Sequence, residues 1–90
     1  MTIIPPRGRK TRIELLHEIR GLPSDAFVTP QHAAALLDTT TSVLANWRSQ
    51  RRGPVYSGHR DFIRYRIEAL RQWMMQRERE MSILREVSHA

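Results

Sequence analysis

The residues VTPQHAAALLDTTTSVLANWRSQRR, Val28 to Arg52, leave the chain few choices. Thr29-Pro30 marks a helix start. A threonine oxygen can accept from the free amides of a first turn, and proline takes the first helical position without losing a bond. Gln31 to Leu37 then reads as a short helix with Ala33, Ala34 and Leu37 on one face. Asp38-Thr39-Thr40 interrupts it, because such side chains bond nearby backbone and favour turns and caps over helix interiors. Thr40 or Thr41 can cap a second helix, in which Val43, Leu44 and Trp47 form the inward stripe. Two short helices about a three-residue turn make a helix-turn-helix.

With the apolar positions spent on that helix contact, Thr41, Ser42, Ala45, Asn46, Arg48 and Ser49 occupy the outer face, followed by Gln50, Arg51 and Arg52. Small hydrogen-bonding residues among arginines suit a helix lying in a DNA major groove. Asn can pair bidentately with adenine, Arg with guanine, and hydroxyls with bases or phosphates. The plainer alternative is a solvated face on a helical hairpin.

Composition narrows the classes. Ninety residues make one domain, near the lower end of what one core supports. The absence of cysteine excludes disulfides and thiolate metal sites. The four histidines, His17, His32, His59 and His89, are scattered, and the carboxylates mostly alternate with arginines. Neither catalysis, nor a metal, nor a cofactor is expected. No run approaches a membrane span, and Pro5, Pro6 and Arg7 interrupt any signal peptide, so a cytoplasmic protein with no membrane partner is expected. Fifteen basic residues against nine acidic ones leave +6, and all but Lys10 of the fifteen are arginine. That balance points to a polyanion partner.

The rest of the chain divides around this centre. Residues 1–10 read as a flexible basic arm, with Pro5-Pro6 and Gly8 opposing helix. Residues 11–27 form an accessory helix and linker. Thr11 and Glu14 fit a capping box, Ile13, Leu15, Leu16 and Ile19 give an apolar side, and Gly21 and Pro23 end the helix. Phe27 is expected to anchor the linker to the core. After Gly53-Pro54, residues 55–56 and 62–65 read as two strands about a turn at Gly58, forming a wing with His59 and Arg60 at its tip. Ile67, Leu70, Trp73 and Met74 recur at helical spacing and close the core with Ala34, Leu37, Leu44 and Trp47. The helix runs on to about Arg85 or Glu86, with a disordered end from Ser88 to Ala90. Met81 and Leu84 continue an intermittent apolar stripe available for contact with another copy.

Thr29-Pro30, Ala33-Ala34, Leu36-Leu37, Leu44, Trp47-Arg48, Gly53-Pro54, Tyr56, Arg64-Tyr65-Arg66, Leu70 and Trp73 together resemble the excisionase and MerR-like superfamily over about half the chain, residues 28–74. The resemblance implies a mainly α, winged helix-turn-helix fold with a two-stranded wing from Tyr56 to Tyr65. An extra N-terminal helix and an extended C-terminal helix would stand outside it. It also implies a recombination directionality factor. Such proteins bind double-stranded DNA at the end of a mobile element as adjacent contacting copies, bend it, and steer a separate integrase towards excision. Thr41, Ser42, Ala45, Asn46 and Arg48 would then face base edges. Thr40, Arg51, Arg52, His59, Arg60 and Arg64 would contact phosphate or carry the wing. Two alternatives stand beside this reading: a small transcriptional regulator on the same fold, and a protein-interaction module that binds no DNA.

Overall fold

The computed structural model describes residues 10–89, with side chains to Leu84. The expected arm lies outside the described residues except for Lys10. Helix α1 (Arg12–Ile19) leads to strand β1 (Phe27–Val28), then helices α2 (Pro30–Leu37) and α3 (Thr41–Ser49), strand β2 (Tyr65–Arg66) and the long helix α4 (Ile67–His89). The described chain is thus mainly helical, with one two-stranded antiparallel sheet. None of its helices is long and apolar enough to cross a membrane.

The helix starts follow local chemistry. Thr11, Thr29 and Thr40 each accept a hydrogen bond from the backbone three residues on, and Pro30 follows its cap directly. At the end of α2, Asp38 adopts a left-handed backbone (φ 55°), and Thr39 N donates 2.9 Å to Ala34 O, closing the last turn. Arg51 (φ 57°) closes α3 in the same way, with Arg52 N 2.8 Å from Trp47 O.

The sheet is nonlocal and joins the two halves of the domain. Phe27 pairs with Arg66, and Val28 with Tyr65. The carbonyls of Ala26 and Ser24 accept from the first amides of α4, Ile67 N at 3.0 Å and Glu68 N at 2.8 Å. Around this junction Val28, Ala33, Ala34, Leu44, Ile63, Tyr65, Ile67 and Leu70 form the core. Leu44 and Leu70 are fully enclosed, and each contributes roughly 1.5–3 kcal/mol by burial.

Several expectations need correction. The wing is not a regular two-stranded hairpin. One bridge survives, Ser57 to Arg64, with both backbone bonds made at 2.8 and 2.9 Å. Between them Gly58 (φ 88°) and Arg60 (φ 54°) bend the chain into a single 3₁₀ turn, Arg60–Phe62, which a ladder cannot accommodate. Val55 and Phe62, expected in strands, stand exposed, and the strand that does form, β2, pairs with β1. Phe27 does not anchor the core. In a strand alternate side chains face opposite ways, so Val28 points inward and the Phe27 ring lies outside under Arg66. Leu37, Trp47 and Trp73 flank the core only half buried. Ile13 is exposed, while Leu15, Leu16 and Ile19 are half buried and Ile19 packs against the core, so the apolar side of α1 is only partly covered. Helix α4 continues to His89, into the end expected to be disordered, and Ala90 lies outside the described residues. From Met75 to Leu84 all its residues are exposed.

Trp47 and Trp73 pack ring to ring, centroids 5.1 Å apart and tilted by 40°. Gly53 lets the chain turn tightly against that pair. Its φ is 88°, and a Cβ there would come within 2.9 Å of Trp47 Cε3. Gly53→Ala should therefore cost about 2–3 kcal/mol, from a strained backbone and a displaced indole together. Thermal unfolding with tryptophan fluorescence checks this; an unchanged melting temperature would show that the indole yields freely.

Candidate nucleic-acid interface

The outer side of α3 is open. Thr41, Ser42, Ala45, Asn46 and Ser49 are all exposed, because Leu44, with Val43 and Trp47 beside it, takes the inward positions. The Asn46 side-chain amide has no hydrogen-bond partner in the described protein. Thr40 is committed at the cap, its hydroxyl oxygen accepting from Val43 N at 3.2 Å.

A groove runs along this side. The start of α2 (Thr29, Pro30, Gln31) forms one wall, and Thr41, Ser42, Ala45 and Arg48 of α3 another. Asp61 and Arg64, from the loop after α3, close it. The sequence reading missed the α2 wall. Its only signal was the Thr29-Pro30 cap, which places the positive end of a helix dipole beside whatever approaches α3.

Arg48 is placed differently from the other outer-face residues. It is half buried, and its Nη1 donates 2.7 Å to the hydroxyl of Tyr65, itself buried in the core. Its guanidinium also lies 5.7 Å from the centre of the Tyr56 ring. One donor of the arginine fork is thus spent on positioning, while the side chain still lines the groove. Tyr65 was not among the expected site residues, because its role depends on the β1–β2 pairing.

The other basic residues do not converge on one point. Arg51 and Arg60 are exposed with no partner among the described residues, and His59 is exposed on the same loop as Arg60. Arg64 is half buried and bonds its neighbour's carbonyl, Ile63 O, at 2.8 Å. Arg52 turns away and borders a separate hollow beside Trp47 and Trp73. Asp61 brings a negative charge to the groove edge. Met81 and Leu84 are exposed on the projecting part of α4.

A polar row ties α1 to the start of α2. Thr29 Oγ1 lies 2.6 Å from His32 Nδ1, and His32 Nε2 lies 2.8 Å from Glu18 Oε1, with Lys10 paired to the same carboxylate. The Thr29 amide points at Nδ1 from 3.4 Å, and Nε2 faces Glu18. A hydroxyl–imidazole–carboxylate sequence can activate a nucleophile. Here the hydroxyl oxygen also caps α2, accepting from His32 N at 3.3 Å, and the row joins the two helices. No group of three or more possible metal ligands occurs among the described residues.

The hydrogen bond from Lys10, and after it the one from His32, hold the Glu18 carboxyl below its ordinary pKa. A lowered carboxylate value means stabilisation that is complete above the ordinary range and drains away as pH falls through the lowered one. Amide protection factors in α1, taken relative to the intrinsic exchange rate at each pH, should therefore fall in acid before those in α3 do. Glu18→Gln should already show the lowered α1 protection at neutral pH. An equal fall in both helices would show that the row holds nothing.

Comparison of the chain with models of known protein families, with characterised proteins and with solved structures gave no match.

Proposed function

We propose that the chain is a winged helix-turn-helix DNA-binding protein with α3 as its recognition helix. It would serve as an accessory factor of site-specific recombination, of the excisionase kind. One observation supports this most: the polar side of α3 stays in solvent, bordered by the α2 start and by Arg48 and Arg64, in a chain of net charge +6.

In this reading Thr41, Ser42, Ala45 and Asn46 meet base edges in the major groove. Arg48 enters with them, aimed by Tyr65. Thr40, Arg51, His59, Arg60 and Arg64 meet phosphates or the adjacent groove, while Arg52, expected from the sequence to join them, lies instead beside Trp47 and Trp73. The short bridged loop between Ser57 and Arg64 takes the place of a wing. Copies bound side by side, in contact through the exposed end of α4, bend the site and present it to an integrase. The reaction needs no covalent step from this chain. Bending a site costs roughly 1–6 kcal/mol, which protein–DNA contacts must offset. The protein would act at the bacterial nucleoid, in the cytoplasm.

Footprinting across attachment and promoter regions tests the reading, with an excision assay on supercoiled plasmid and the cognate integrase. A footprint at the attachment site with increased excision is the expected result. A promoter footprint with unchanged recombination would replace it with a transcriptional regulator, and no footprint would sink both. Asn46→Ala should weaken cognate binding by about 1–3 kcal/mol and relax specificity without changing stability. Normal binding by that variant would mean that another face reads the bases.

A further inference from the structure

Helix α1 is unfinished as a packed element. Of its apolar residues, Leu15, Leu16 and Ile19 are only half buried, with Ile19 against the core, and Ile13 is 69% exposed. Polar contacts fix it on the side that meets α2. Arg12 Nε donates 2.9 Å to Ala35 O and lies 3.5 Å from Asp38, while Glu18 meets His32. Its other side forms an open slot with α4. Ile13, Leu16, Ile19, Leu36 and Ile67 supply an apolar floor. The charged groups bordering it are all potential cations, His17, Arg20 and Arg71, and no carboxylate lines it. None of the three has an ion-pair partner among the described residues.

We infer that this slot docks an amphipathic helix of another protein, one bearing apolar residues at i, i+3, i+4 and i+7 and acidic residues beside them. With α1 held to α2 by these polar contacts, the apolar side chains it turns towards α4 leave room for the apolar face of another helix. The cationic border selects acidic flanks and disfavours basic ones. A second copy of this chain is a poorer occupant by charge. Its net charge is +6, and the projecting residues 76–84 of α4 carry two arginines and two glutamates. The slot shares no lining residue with the α3 groove, so the inference does not depend on DNA binding.

The probe is a synthetic Leu/Glu helix with leucine at those spacings, compared with the same peptide carrying Lys for Glu, titrated into the isotope-labelled full chain. The Leu/Glu peptide should shift amide resonances of α1 and the first turns of α4, and leave α3 unmoved. The Leu/Lys peptide should bind about tenfold more weakly or worse. The double variant Arg20→Glu with Arg71→Glu should reverse that preference. Ile13→Asp, at an exposed position that leaves the fold intact, should abolish binding. Four results would overturn the inference: no binding of the Leu/Glu peptide, equal binding of both peptides, binding indifferent to the charge reversal, or self-association in sedimentation that Ile13→Asp removes. Saturation of the slot by a free fatty-acid anion with neither peptide bound would also overturn it, in favour of a small amphiphile.

Discussion

Leu44→Ala should remove about 3–5 kcal/mol of stability, which is most of what a domain of this size has. Leu44 is the one fully buried residue of α3, held among Val28, Ala34 and the start of α4. Truncation leaves a cavity that the sheet and the start of α4 cannot readily collapse into, since the backbone bonds at Ala26, Val28 and Ser24 hold those two together. Urea unfolding followed by circular dichroism measures the loss. Val55→Ala, at a side chain 75% exposed, should change stability by less than about 0.5 kcal/mol and serves as the control. A loss below about 1 kcal/mol for Leu44→Ala would mean that α3 is not seated by this residue, and its outward face would lose its defined direction.

The second large effect concerns binding. If the proposed DNA contact is right, affinity should fall roughly 10³–10⁵-fold between about 50 and 200 mM salt, for about 6–10 phosphate contacts. The arginines that could make them are Arg51 and Arg60, exposed and without a side-chain partner among the described residues, and Arg48 and Arg64 at the groove. Arg51→Ala should lower the slope of log affinity against log salt by about one unit and weaken all sequences alike. Asn46→Ala should leave the slope unchanged and weaken the cognate site alone. Titrations by fluorescence anisotropy at four or five salt concentrations separate the two. A flat salt dependence would remove phosphate from the account.

How much of this could be read in the residues differs from element to element. The bounds of α2 and α3 were legible, because Thr29, Pro30 and Thr40 act on backbone groups within three residues of themselves. So was the inward position of Leu44, since a helical period determines which residues share a side. The wing was not legible. Val55 and Phe62 have strand-forming side chains, but Gly58 and Arg60 both take left-handed backbone and fold the segment on itself. Helical spacing alone makes Arg48 a free outer-face residue for a related reason: its partner Tyr65 lies 17 positions away.

What the chain determined by itself, then, is the set of short-range decisions: where helices begin and end, which of their sides is apolar, and the excess of positive charge. The tertiary structure alone decided which strand β2 would pair with, that Val28 rather than Phe27 would enter the core, and that Arg48 would be held by a buried hydroxyl. It also left α1 with an open apolar side. Each of these depends on closing a loop of many residues, and the side chains at either end carry no local record of the partner they will meet.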